Sequence, residues 1–146
     1  MDFMAAFAIS GSGMSVEKLR LDVTALNIAN VHSTRGPEGT GYEPLQVISG
    51  ARQAQLFRSV FAAESLRLAG GAEVLEVRAV GVAPRLVYEP NHPDADAAGF
   101  VAYPGINPVN EMVTLLAAMR AYEANVAAFN AAKTMALKAL ELGGNG

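Results

Sequence analysis

Apolar positions recur at both ends of this chain in alternating steps of three and four. In the N-terminal segment Ile9, Val16 and Val23 hold one seam position, and Ser12, Leu19 and Leu26 hold the other. A period of 3.5 residues predicts a helix that packs in coiled-coil fashion. The C-terminal segment carries the pattern further: Met112, Met119, Val126, Lys133 and Leu140 alternate with Leu115, Tyr122, Phe129 and Ala136. A helix from Asn110 to Leu142 would be about 50 Å long at 1.5 Å per residue. Asn110 is read as its N-cap, with Pro108 upstream and Glu111 in the first turn, where the helix dipole favours an anion. Lys133 and Lys138 lie toward the far end, and Gly143, Gly144 and Gly146 stop the helix. Lys133 in a seam position is read as a long stem reaching solvent.

The middle of the chain is written differently. Leu75, Val77 and Ala79 alternate with Glu76 and Arg78, a period of two that predicts a strand. Shorter strands are expected at Leu45–Ser49, Arg85–Glu89 and Gly99–Tyr103, parted by turn formers such as Glu89-Pro-Asn-His-Pro-Asp. Arg58–Leu68 suits neither period and stays open between helix and loop. The predicted class is α+β: long N- and C-terminal helices packed as a coiled-coil pair, with a small irregular β insert between them. The expected divisions are 1–35 for the first helix, 36–108 for the insert and 109–146 for the second helix. Asn27 and Asn30 close the first helix as turn-tolerant residues, and amides buried in packed surroundings need hydrogen-bond partners.

The remaining faces of the C-terminal helix change this picture. They carry Ala117, Ala118, Ala121, Ala124, Ala127, Ala128, Ala131 and Ala132, and few charges. A helix with water on its back is more polar than this. Either the alanines are simply good helix formers in a two-helix hairpin, or the helix packs on several sides, as in self-assembly or assembly with related chains. Composition favours the second reading. Of 146 residues, 51% are apolar and only 17% charged, below the roughly 25% of a typical soluble protein.

A net charge of -3 gives no basic footprint for nucleic acid. The absence of cysteine removes disulfides and thiolate chemistry. The opening MDFMAAFAISGSGM lacks a basic n-region and is read as mature sequence with no cleaved leader. No run reaches the roughly 18 apolar residues of a membrane span. His32 and His92 stand in separate turns with no second imidazole at ligand spacing. The stretch DADAAG, 94–99, begins like a calcium loop, but Ala98 replaces a ligand and Gly105 stands where the bidentate Glu belongs. The glycines of SGSGM and GTG lack the third glycine of a dinucleotide loop and the lysine of a phosphate loop. No catalytic, cofactor or metal residue is assigned.

Three stretches carry a family resemblance. LNIAN, 26–30, is similar to the N-L-A-N box of the flagellar axial proteins and is followed by the turn run TRGPEGTGY. LVYEPNHPDADAAGFVAYPGI, 86–106, and the C-terminal helix, 110–143, are similar to segments of the rod branch of that family. Gly81-Val82 stands where that family commonly has an acidic residue, Pro104-Gly-Ile-Asn replaces a Pro-Asn-Val type, and 50–72 match no family segment.

The resemblance implies a non-enzymatic structural subunit of the flagellar axial rod, exported through the flagellar type III channel. It implies helical assembly in the periplasm, with terminal helices lining an inner tube and the insert facing outward. The implied partners are copies of itself, other flagellar rod proteins and the adaptor at the rod base. The expected assembly interface comprises Leu19, Val23, Leu26, Met112, Leu115, Met119, Tyr122, Val126 and Phe129, with Asn27, Asn30 and Asn125 as polar fixtures. The rival readings are a soluble helix-binding adaptor or export chaperone and, more remotely, a hydrolase using His32 or His92.

Overall fold

The structure is a computed structural model, described here for residues 3–34, 41–52 and 70–143. Two helices bracket four short strands: α1 (Phe3–Ala29), β1 (Leu45–Ala51), β2 (Ala72–Ala79), β3 (Arg85–Tyr88), β4 (Phe100–Tyr103) and α2 (Pro108–Gly143). The expected α+β architecture is what is found. The ambiguous stretch Arg58–Leu68 lies outside the described residues.

The helices run antiparallel. Phe7 meets Phe129 with ring centroids 4.8 Å apart near one end, and Asn27 reaches Glu111 near the other. Between them, a Cβ on Gly13 would stand 2.6 Å from Asn125 Oδ1, so the helices close up where Gly13 has no side chain. The face of α2 turned to α1 reads Glu111, Leu115, Ala118, Tyr122, Asn125, Phe129, Ala132 and Ala136, all buried or half-buried. One row of this seam is the expected one. The other lies one residue earlier than expected, so Ala118, Asn125 and Ala132 take the places assigned to Met119, Val126 and Lys133. Met112, Met119, Lys133 and Leu140 are exposed. The physical reason is close approach, because two buried alanines and a glycine let the backbones come nearer than methionines allow.

On α1, Val16 and Val23 are buried and Leu19 is half-buried, whereas Ile9 and Leu26 are largely exposed. Ser12 faces the insert, its Oγ accepting the Ala72 N–H at 3.0 Å.

The N-cap of α2 is Asn107, not Asn110. Its Oδ1 accepts the Val109 N–H at 3.0 Å and the Asn110 N–H at 3.4 Å. That places Pro108 at the first helical position, where its missing N–H costs nothing. At 36 residues α2 is about 54 Å long.

β1 and β2 form one antiparallel pair and β3 and β4 another. In the first, the register slips between Ile48 and Ser49, leaving Leu75 without a partner opposite it. In the second, Asp96 Oδ1 accepts the Ala98 and Phe100 N–H groups at 2.8 and 2.9 Å. Gly99 completes that turn at φ +84, a left-handed conformation that favours glycine, and an added Cβ would meet the Tyr88 ring. The DADAAG stretch is therefore a hairpin turn. Asp94 also accepts the Thr34 hydroxyl at 2.6 Å, tying the chain leaving α1 to this hairpin.

Candidate assembly interface

Among the described residues, the LNIAN stretch supplies the side chain with the most hydrogen bonds. Asn27 sits in the last turn of α1 and is 2% exposed. Its Nδ2 donates to Leu45 O at 2.8 Å and to Glu111 Oε2 at 3.1 Å. Its Oδ1 accepts the Tyr42 hydroxyl at 2.8 Å and the Leu45 N–H at 2.9 Å. Both N–H groups and both lone pairs of the amide are used. The carboxamide therefore acts as a short piece of backbone laid along the free edge of β1, while its fourth bond holds the start of α2. Further along that edge, Arg20 donates to Val47 O at 3.3 Å and Ser49 Oγ at 2.9 Å, and pairs with Glu17 at 3.1 Å. Edge strands left open invite uncontrolled pairing, and here α1 side chains occupy the edge. Burial, and then the nearby Glu111 carboxylate, raise the pKa of Tyr42.

Asn30 has a different task. Its Nδ2 donates to Leu26 O at 2.9 Å and its Oδ1 accepts the Ser33 hydroxyl at 3.0 Å, which ends the helix. The two asparagines are thus unlike: Asn30 is a stop, and Asn27 is a junction of helix, insert and second helix.

The other expected interface residues divide by face. Val23, Leu115, Tyr122, Asn125 and Phe129 lie in or beside the intrachain seam, buried or half-buried. Asn125 donates back to Ala121 O at 2.8 Å. Leu19 and Val126 are half-buried, and Leu26, Met112 and Met119 point outward. The sequence reading missed Val109, Val113 and Leu116, which join Met112 and Met119 in an exposed apolar face over the first turns of α2; Val113 is 62% and Leu116 52% exposed. It also missed the buried Ala118 and Ala132, and Tyr42, Leu45 and Glu111 as partners of Asn27. The signal for Glu111 was its place in the first turn, which was read for the dipole alone.

Both histidines are engaged locally. His92 Nδ1 accepts the Asp94 N–H at 3.0 Å, and His32 stands edge-on to Tyr103 at 6.4 Å. Among the described residues, no group of three or more His, Cys, Asp or Glu is placed to hold a metal ion, and no helix is long and apolar enough to cross a membrane.

Comparison with known proteins decides the family. Residues 97–142, which span β4 and nearly all of α2, match the family described as Flagellar basal body rod FlgEFG protein C-terminal. The flagellar basal-body rod protein FlgC of Escherichia coli O6:H1 is 39% identical, over 98% of this chain and 99% of its own length. The chain belongs to the FlgC family of flagellar basal-body rod proteins. The FlgC of Bacillus subtilis is 36% identical over 92% of this chain and 94% of its own length, and that of Aquifex aeolicus 37% over 91% of each. As an FlgC family member the chain is a structural protein of the flagellar basal-body rod, and these relatives lend no support to a soluble adaptor or chaperone.

Proposed function

We propose that the chain is a non-enzymatic subunit that builds the proximal rod, packing helically with copies of itself and with other rod proteins and the adaptor at the rod base. The antiparallel helices form the wall of the tube, and the strands between them face outward. In this reading the subunit is exported through the flagellar channel and assembles in the periplasm, where helix packing transmits torque.

The observation that carries this reading is the outer face of α2. A helix of 36 residues buries one side against α1 and leaves Val109, Met112, Val113, Leu116 and Met119 in solvent. Contiguous exposed apolar surface on a folded chain marks an interaction site. Of the residues expected at the interface, Met112 and Met119 belong to this face and Leu26 is exposed on α1, while Val23, Asn27, Leu115 and Phe129 hold the subunit together.

The test is deletion of the chain followed by isolation of basal bodies. The expected result is basal bodies without a rod, and recovery of the restored chain in the basal-body fraction. Intact rods in the deletion strain would overturn the proposal.

A further inference from the structure

This inference rests on the rod-subunit reading and specifies the partner of its outer faces. Opposite the seam, each helix carries a second row with the same three-and-four spacing. On α1 it runs Ser15, Lys18, Asp22, Ala25 and Ala29, all exposed. On α2 it runs Val113, Leu116, Arg120, Glu123 and Ala127, also all exposed. The rows are complementary in size. The α1 row is shallow, with alanines and a serine around one charged pair, whereas the α2 row raises Val113 and Leu116 above the surface. They are also complementary in charge, since each carries one cation followed by one anion, and none of the four is in an ion pair among the described residues.

We propose that α1 of one copy packs antiparallel on the outer face of α2 of the next copy, pairing Lys18 with Glu123 and Asp22 with Arg120. Ala25 then receives Leu116, and Ala29 receives Val113. The antiparallel direction follows from the hairpin: copies aligned along one axis present α1 and α2 in opposite senses.

The charges choose the register. A slide of half a heptad one way sets Lys18 beside Arg120, and the same slide the other way sets Asp22 beside Glu123. Both neighbouring registers oppose like charges, which is how coiled-coil contacts reject wrong alignments. Because the two rows lie on opposite outer sides of one chain, they cannot meet within a copy. The contact is head-to-tail and leaves a free row at each end, so it propagates instead of closing as a two-fold dimer.

The natural absence of cysteine gives a clean test. Cells co-express one chain carrying Ala25→Cys and another carrying Leu116→Cys, and isolated basal bodies are oxidised. The expected product is a disulfide-linked pair of copies, with several-fold less product when Val109→Cys, two turns away, replaces Leu116→Cys. Lys18→Glu lowers the yield several-fold, and Lys18→Glu combined with Glu123→Lys in every copy restores it. Equal yields from Val109→Cys and Leu116→Cys, or no linked pair from basal bodies that contain both variants, would overturn the proposal. A link from Ala25→Cys to a different rod protein in place of a second copy would overturn it as well. Absence of the unaltered chain from basal bodies would instead overturn the rod reading beneath it.

Discussion

Asn27 Nδ2 and Glu111 Oε2 lie 3.1 Å apart, one near the end of α1 and the other in the first turn of α2. The same amide holds both polar backbone groups of Leu45. One side chain therefore fixes where the chain leaves the first helix and where it enters the second. Replacing Asn27 with Ala strands four hydrogen-bonding groups in a buried place, so the cost is about 3 kcal/mol or more in urea unfolding. Asn27→Asp keeps the acceptors but turns a carboxylate toward Glu111 and Leu45 O. It is the worse variant at pH 7 and recovers part of its stability near pH 4, where carboxylates begin to protonate. Equal losses for Asp and Ala at both pH values would contradict this geometry.

The Tyr42 hydroxyl donates to the Asn27 amide, and burial together with Glu111 raises its pKa above the ordinary value of 10.0. A raised folded pKa means that the folded state holds the proton more tightly than the unfolded chain. Its contribution is fully present below about pH 10, the pKa of an unfolded tyrosine, and is lost as pH rises through the folded value. The wild-type chain should lose stability above pH 10 more steeply than Tyr42→Phe. Parallel stability curves for the two proteins over pH 9–11 would refute the assignment.

Gly11 and Gly13 make a matched pair on α1. An added Cβ at Gly11 meets nothing within 4 Å, while at Gly13 it would stand 2.6 Å from Asn125 Oδ1. Gly11→Ala should therefore stabilise the isolated chain by roughly 0.5–1 kcal/mol, the ordinary helix gain over glycine. Gly13→Ala should destabilise it by about 1–2 kcal/mol through overpacking, and Asn125→Ala in the same chain should remove most of that loss. The check is a thermal unfolding series on the three variants.

Asp96 closes the hairpin between β3 and β4 through two backbone N–H groups. Asp96→Ala should cost about 1–2 kcal/mol, whereas Asp96→Asn, which keeps one acceptor oxygen, should cost less. Amide exchange should rise at Ala98 and Phe100 and stay unchanged in α2.

Much of this architecture is legible in the chain because its signals are local. Alternation at Leu75, Val77 and Ala79 marks β2, and the long three-and-four pattern marks α2. The register of the helix pair is less visible, since a period fixes spacing but not which of two adjacent rows faces inward. Bulky Met112 and Met119 look like seam residues by hydropathy, yet the closely packed seam takes Ala118 and Ala132. Asn27 reads as a turn former because its partners Leu45 and Glu111 lie 18 and 84 residues away. Such pairings belong to the folded chain and leave no periodic trace.

The claim that the outer face of α2 builds the rod is tested most directly by Leu116→Asp. Leu116 is 52% exposed and lies outside the intrachain seam, so the variant should fold with unchanged helicity and thermal stability. The measurement is the amount of this variant recovered in isolated basal bodies relative to the wild-type chain. The account predicts near-complete loss from that fraction together with loss of motility, and wild-type recovery with normal rods would contradict it.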